Sequence, residues 1–321
     1  MGRYLIRRLL LAFPVLVVVS ILVFGGTRVV PGDICTIVLG VDTSGAVGAG
    51  FEQNCARVKE ELGLNNPIVS QYFTWAGNAI QGDLGRSMVQ RRPVLDVMES
   101  RIPTTMQLAF MATVLSIVIA LPVGVLSALK QDKLPDITAR FLTIGWLSMP
   151  QFWVGTMLIT FPAVWWGYAT PVPYEDLWKD PLKNLEQMYL PVIALGLAFS
   201  ATIARLTRSS MLEVLRQDYV RTARAKGLHE RVVLSKHALK NAMLPVITLI
   251  GIQVGVLMSG TVVIEFLFAL PGMGTLLVES IITKDFAQVQ GIVLFFAIIV
   301  ILINIIVDVS YALFDPRVRF S

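Results

Sequence analysis

The sequence predicts an all-α membrane protein with six transmembrane helices and with both termini in the cytoplasm. Three observations support this prediction. Of the 321 residues, 55% are hydrophobic and only 15% are charged, whereas a soluble domain carries roughly 25% charged residues. Six runs without Asp, Glu, Lys or Arg are long enough to cross a bilayer. Most Lys and Arg residues can be placed on one side of these runs, as in the cytoplasmic loops of membrane proteins.

The six charge-free runs are the predicted spans. The shortest has 18 residues, and a helix of that length rises about 27 Å, close to the roughly 30 Å of a hydrocarbon core. The third run exceeds one span, and the prolines at 171 and 173 indicate that its helix ends near Gly167. The first run is interpreted as an uncleaved helix, because it exceeds the apolar core of a signal peptide. The runs are Leu9–Thr27, Ile102–Leu129, Phe141–Tyr174, Gln187–Ala204, Asn241–Ile264 and Phe286–Val307.

The distribution of basic residues fixes the predicted orientation. With the N-terminus inside, 17 of the 27 Lys and Arg residues face the cytoplasm. Nine of them lie between Arg205 and Lys240, with only three acidic residues. We therefore expect this internal loop to be cytoplasmic and to offer a basic, helical surface to a partner. The alternative is a loop that only sets topology beside anionic lipids.

Residues 30–104 form the largest polar insertion, predicted to be extracytoplasmic. Apolar residues at helical spacing between Ile68 and Ile80 predict an amphipathic helix, followed by a turn at Gly82–Gly85. The insertion is either a cap over the helices or a docking surface for a soluble partner. Cys35 and Cys55 both lie in it, and an oxidising compartment permits a disulfide there. The alternative is two unrelated apolar thiols.

Residue types that carry catalysis are scarce. The two histidines, His229 and His237, are not accompanied by further ligands at metal spacing, and the sequence contains no P-loop. We therefore predict no catalytic residue and no metal site. We also predict no nucleic-acid partner, because the basic charge flanks membrane runs. An ion-coupled secondary transporter is the alternative from another class, but it usually carries ionisable groups within its spans.

Small residues recur on the fifth run. Gly251, Gly255 and Ser259 are four residues apart, and such a stripe lets a second helix approach closely. The stripe predicts helix packing, either inside this subunit or against another subunit.

The basic loop also contains Asp218-Tyr-Val-Arg-Thr-Ala-Arg-Ala-Lys-Gly-Leu228. This segment resembles the cytoplasmic loop of the membrane-spanning permease subunits of bacterial ATP-binding-cassette (ABC) importers, in the dipeptide/oligopeptide/nickel branch. The family pattern Glu-Ala-Ala, three residues, Gly falls on Arg221-Thr222-Ala223 and Gly227, with Arg221 and Thr222 as departures. The resemblance extends over nearly the whole chain. It includes Gly82-Asp-Leu-Gly-Arg-Ser87, Glu265-Phe-Leu-Phe-Ala-Leu-Pro-Gly-Met-Gly274 and Asp315-Pro-Arg-Val-Arg319.

The resemblance implies a type I ABC importer permease, a single transmembrane domain over residues 1–321, in the bacterial inner membrane. It implies a second homologous permease, two ABC ATPase subunits and an extracytoplasmic substrate-binding protein as partners, in addition to the lipid bilayer. ATP and Mg would bind to the ATPase subunits, with no cofactor in this chain. A short coupling helix around Ala223–Arg231 would contact the ATPase. The implied docking residues are Arg221, Thr222, Ala223, Arg224, Lys226, Gly227, Leu228, His229, Glu230 and Arg231.

The resemblance leaves the cargo open. Permeases of this branch carry dipeptides, oligopeptides, glutathione or nickel chelates, and the binding protein largely selects among them. Peptides are the expected cargo, and glutathione and nickel chelates are the alternatives.

Overall fold

The apolar runs become long helices in the computed structural model, which describes residues 2–29, 56–57 and 65–314. Within these described ranges, five helices are long and apolar enough to cross a membrane, at the positions of all predicted spans except the third. In the described ranges the chain is helical and has no strand beyond an isolated bridge between Arg86 and Pro93. The helices are α1 (Gly2–Val29), α2 (Ile68–Ile80), α3 (Val94–Glu99), α4 (Ile102–Leu129), α5 (Leu134–Ser148), α6 (Gln151–Trp166), α7 (Pro181–Leu215), α8 (Asp218–Ala225), α9 (Glu230–Val232), α10 (Lys240–Leu267), α11 (Met273–Ile282) and α12 (Phe286–Phe314). A π-helical segment, Val233–Leu239, joins α9 to α10.

The third apolar run forms two helices rather than the one that the sequence predicted. Met149 and Pro150 are both extended and separate α5 from α6. A proline disfavours the helical conformation of the residue before it, so the break falls at Met149. The far end of the run is as predicted, because α6 ends at Trp166 and Gly167 adopts a left-handed φ of +62°.

The chain divides into two compact units. One comprises Met1–Leu5, Thr104–Pro271 and Leu302–Ser321, and the other comprises Ile6–Pro103 and Gly272–Ile301. The predicted boundaries, a single domain with an insertion at 30–104, remain a prediction. The predicted disulfide between Cys35 and Cys55 lies outside the described residues.

The unit that contains residues 6–103 is organised around α3. Val94 and Met98 of this short helix are buried against Met273 and Leu276 of α11. Gly291 allows the second turn of α12 to approach α3, since a Cβ there would lie 2.7 Å from a Val94 methyl carbon. The predicted amphipathic helix is present as α2, and the predicted turn follows it, with positive φ at residues 82 and 85.

Asp285 fixes the loop between α2 and α3 in this unit. Its buried carboxylate accepts a short hydrogen bond from the Ser87 hydroxyl and longer ones from the Met88 and Val89 amides. The same carboxylate accepts from the Gln288 amide in the first turn of α12, at 3.4 Å. One side chain therefore caps a helix and anchors a loop nearly 200 residues away in sequence.

The other unit is held together by close crossings of α4, α7 and α10. A Cβ on Gly124 would lie 2.7 Å from the Ala204 carbonyl oxygen, and one on Gly196 would lie 3.2 Å from the Ala112 carbonyl oxygen. Such contacts between backbones are possible only at small residues, and they are typical of helices packed in a membrane. Gly251 packs within this subunit, because a Cβ there would overlap the Val307 side chain of α12.

Near the N-terminus of α5, a buried ion pair joins three helices of this unit. The guanidinium of Arg208 on α7 donates to both carboxylate oxygens of Asp136 on α5, each at 2.7 Å. The Ser127 hydroxyl on α4 and the Asp132 amide also donate to Asp136, which is fully buried. The hydrogen bonds from Arg208 hold the pKa of the Asp136 carboxyl well below its usual range.

Candidate cytoplasmic coupling site

The candidate site is built on α8, a two-turn amphipathic helix in the basic loop. Val220 and Ala223 are its two buried residues, and they pack with Val233 of the π-helical segment. Val214 and Leu215 at the end of α7 cover this small cluster. Its apolar face therefore fixes α8 to the helices on either side of it, and its polar face is left for solvent or a partner.

The turn after α8 explains the spacing between Ala223 and Gly227. The Gly227 amide donates to the Arg224 carbonyl oxygen at 2.9 Å, and the Leu228 amide donates to the Ala223 carbonyl oxygen at 3.4 Å. This pair of hydrogen bonds is the Schellman motif, which places a left-handed residue four positions after the third-last helical residue. Gly227 is that residue, with φ +76°.

A surface ion pair joins the two sides of this turn. The guanidinium of Arg224 donates to both carboxylate oxygens of Glu230, at 3.2 and 2.8 Å. The hydrogen bond from Arg224 to Glu230 raises the pKa of the Arg224 guanidinium. His229 precedes α9, and its Nδ1 accepts from the Arg231 amide at 3.3 Å. The turn is therefore fixed by backbone, side-chain and helix-cap hydrogen bonds together.

α8 is also tied to the span that follows the loop. The side-chain amide of Asn241, at the start of α10, donates to the Tyr219 hydroxyl at 3.0 Å and to the His237 carbonyl oxygen at 2.8 Å. The segment between them, Val233–Leu239, is π-helical, and π-helical turns inside α-helices are frequent at functional sites. α8 is therefore connected to the first turn of α10 by this side-chain hydrogen bond.

The structure brings the predicted docking residues together and corrects the helix that carries them. The helix was predicted around Ala223–Arg231, but it lies at Asp218–Ala225. The physical reason is the left-handed Gly227, which ends a right-handed helix rather than lying inside one. Of the ten predicted docking residues, Ala223 is buried and supports the helix, and the other nine are exposed.

Two exposed apolar residues beside these positions were not predicted from the sequence. Tyr219 is 43% exposed and Val232 is 39% exposed, close to the 42% of Leu228 in the predicted set. Large apolar side chains left half in water within a strongly basic loop would have been the signal. Among the residues that the structure describes, no group of His, Cys, Asp and Glu side chains could hold a metal ion.

Two family models together cover most of the chain. The "Binding-protein-dependent transport system inner membrane component" model matches residues 120–320, which include the whole candidate site. The model "Binding-prot-dependent transport system membrane comp, N-term" matches residues 1–109.

Individual relatives agree with these matches. The glutathione transport system permease protein GsiC of Escherichia coli (strain K12) is 38% identical over 321 residues, which is 100% of both chains. The protein of the same name in Shigella dysenteriae serotype 1 (strain Sd197) is also 38% identical over 100% of both chains.

Two solved structures share the fold. A crystal structure of an amino acid ABC transporter with histidines matches with a TM-score of 0.55 and 14% identity, over 68% of this chain and 94% of that chain. An inward-facing MetNI methionine ABC transporter matches with a TM-score of 0.53 and 19% identity, over 68% and 96%. The predicted all-α, type I importer architecture is thereby confirmed. The chain is a multi-pass inner-membrane protein that belongs to the binding-protein-dependent transport system inner membrane components, the permease subunits of ABC importers whose ATPase activity lies in separate subunits.

Proposed function

We propose that this permease imports peptides, and that the segment from Asp218 to Arg231 is the surface through which ATPase subunits drive it. The observation that supports the coupling role of this segment is the fixed geometry of the turn at Gly227. A lever must be rigid to transmit displacement, and this turn is held by two backbone hydrogen bonds and by the Arg224–Glu230 pair. The exposed Lys and Arg side chains around the turn would suit a groove on the ATPase subunit that has acidic and apolar walls.

We propose the following assembly around the chain. A second homologous permease pairs with it and encloses the transport path, and two ABC ATPase subunits bind beneath, each with its ATP and Mg. An extracytoplasmic binding protein delivers the cargo. The link from α8 through Asn241 to α10 then converts movement of the ATPases into movement of a span. The family assignment supports this assembly and gives no support to an ion-coupled secondary transporter.

Short peptides are the proposed cargo class, and glutathione is the specific candidate that the comparisons favour. The relatives named for glutathione transport are similar over their full length, and glutathione is itself a tripeptide. Nickel chelates remain the alternative cargo, and no specific observation in the described residues favours them.

The test is reconstitution of the complete complex in proteoliposomes. The chain is co-expressed with a second permease, the ATPase subunits and a binding protein of the same organism, and uptake of labelled Ala-Ala and of labelled glutathione is measured. We expect uptake to require Mg-ATP on the side of the membrane that carries the ATPase subunits. We also expect it to require the binding protein on the opposite side. Uptake that runs on a proton or sodium gradient without ATP would refute the proposed function.

A further inference from the structure

The break between α5 and α6 leaves backbone polar groups inside an apolar region. Met149 and Pro150 are extended, and they lie eight to nine residues inside the charge-free run that begins at Phe141. Among the described residues, no hydrogen bond is made to the carbonyl oxygens of Leu147, Ser148 and Met149. Non-helical backbone at membrane depth is tolerated only where it is buried in protein or lines a water-filled cavity.

A cavity lies at this break. Its volume is about 340 Å³, within the roughly 300–1,000 Å³ that small-molecule sites occupy. The break contributes Trp146, Met149 and Gln151 to its wall, α7 contributes Phe199 and Thr202, and α10 contributes Gln253. All of these residues belong to one compact unit.

Three polar side chains line the cavity, and none carries a charge. The amides of Gln151 and Gln253 and the hydroxyl of Thr202 form no hydrogen bond with any part of the protein that the structure describes. Polar side chains within a bundle of spans normally pair with one another or with backbone groups. Here two amides and a hydroxyl offer donors and acceptors to whatever occupies the cavity.

The wall of α10 is shaped to admit Gln151. Gly260 lies seven residues after Gln253, so both are on one face of the helix. A Cβ at Gly260 would lie 3.3 Å from the Gln151 side-chain carbonyl oxygen, which is closer than most Cβ contacts. The small residue therefore leaves the Gln151 amide free to extend along the cavity wall beside α10.

We infer that this cavity is a cargo-contact site on the transport path, with uncharged hydrogen-bonding groups as its ligands. Peptide groups suit it because each presents one N–H and one C=O, which match the side-chain amides and the free backbone carbonyls. Trp146 and Phe199 supply apolar surface for the peptide's side chains. Because none of the cavity-lining side chains is charged, the site would bind peptides of many sequences weakly enough to release them. This inference rests on the proposed function, and it places one contact between the cargo and the permease inside the membrane.

The test compares two isosteric substitutions in the reconstituted complex. Thr202→Val removes the hydroxyl that lines the cavity, and Thr156→Val removes a hydroxyl on α6 that bonds its own helix at the Phe152 carbonyl oxygen. We expect Thr202→Val to lower the uptake of Ala-Ala or glutathione about three- to tenfold, the effect of losing one neutral hydrogen bond. Thr156→Val should leave uptake within about twofold of wild type, because its hydroxyl does not line the cavity.

A charge at Gln253 gives the second readout. Gln253→Glu should disfavour glutathione, a net anion at neutral pH, more than zwitterionic Ala-Ala, by about tenfold or more because like charges repel strongly away from bulk water. If Gln253→Glu does not assemble, Gln253→Met replaces it and uptake of both probes should fall.

The outcomes separate this inference from the proposed function. If the wild-type complex imports neither probe with ATP, the proposed function fails. If the wild type imports a probe and both Thr202→Val and the Gln253 variants import it equally well, with unchanged preference, only the cavity assignment is overturned. The cavity is then a water-filled space that satisfies the broken helix.

Discussion

Gly227 is the residue on which the coupling geometry depends most directly. A Cβ at this position would have no neighbour within 4 Å, so a substitution meets no steric clash and its cost is purely conformational. A non-glycine residue in the left-handed region costs roughly 1–2 kcal/mol, and a β-branched residue costs more because its side chain is restricted as well. A substitution of Gly227 therefore tests the effect of backbone strain without changing the packing of side chains.

We expect Gly227→Val to uncouple the ATPases while the permease still inserts into the membrane. A loss of about 2–4 kcal/mol at the contact would weaken it roughly 30- to 1,000-fold, at 1.4 kcal/mol per decade. Co-purification of the ATPase subunits and ATP-dependent uptake measure the effect. Gly227→Asn is the matched control, since Asn visits the left-handed region readily, and it should retain both. Normal co-purification and uptake in the valine variant would refute the coupling role.

The sequence pattern marks the residue on which this turn depends, but it does not mark the limits of the helix beside it. The Ala223-x-x-x-Gly227 spacing is local, and a Schellman motif needs only local hydrogen bonds. The limits of α8 depend on the burial of Val220 against Val233, which lies beyond the turn. That contact is tertiary, so the sequence placed the helix several residues too far along the chain.

At the scale of elements, the Asp136–Arg208 pair connects α4, α5 and α7. Removing one partner of a buried ion pair leaves an uncompensated charge and costs about 3–5 kcal/mol. We therefore expect Asp136→Asn to lower the thermal unfolding temperature of the permease in detergent. Asp132→Asn is the matched control, because Asp132 is exposed and contacts Arg140 at 3.4 Å on the surface. Equal melting of the two variants would contradict a structural role for the pair.

The same pair predicts how stability varies with pH. The pKa of Asp136 is lowered in the folded protein, so its contribution is fully present above the unfolded value near 3.9. It is lost only as the pH falls below that value towards the folded pKa. This carboxylate therefore adds no pH dependence between about pH 5 and pH 8.

Asp285 connects the loop at Ser87 to the first turn of α12. Replacing it with Ala removes a helix cap, which costs roughly 0.5–2 kcal/mol, and also releases the loop. We expect Asp285→Ala to speed tryptic cleavage after Arg91, which is exposed in that loop. Asp96→Ala, an exposed residue of α3, should leave the cleavage rate unchanged. Identical digestion of the two variants would show that the loop is held by other contacts.

Element boundaries could be predicted only where a local signal marks them. The apolar periodicity of residues 68–80 gave α2, and Gly167 marked the end of α6. The prolines at 122, 162, 191 and 245 lie inside continuous helices, whereas Pro150 separates two helices. A run of apolar residues has no polar face, so the sequence alone does not distinguish these cases. The Asp136–Arg208 contact spans 72 residues and leaves no local trace.

At the scale of the whole molecule, family membership and membrane location were predictable from the sequence because composition and an ordered set of motifs carry them. The cavity at Gln151 and Gln253 was not, because it depends on the break at Pro150 and on two helices far apart in sequence. Orientation is carried by charge alone. It is therefore the property that a labelling experiment tests most directly.

We predict that both termini and residues 205–240 face the cytoplasm. The reason is that 17 of 27 Lys and Arg residues then lie inside, and the translocation of clustered basic residues is disfavoured. The experiment introduces Lys226→Cys, or Trp178→Cys as the matched control, into a variant in which Cys35 and Cys55 are Ser. Both positions are exposed, so access depends on the side of the membrane alone. An impermeant thiol reagent applied to spheroplasts should label position 178 and should label position 226 only after the membrane is opened. Labelling at 226 in intact spheroplasts would invert the orientation and would remove the candidate coupling site from the side where ATP is available.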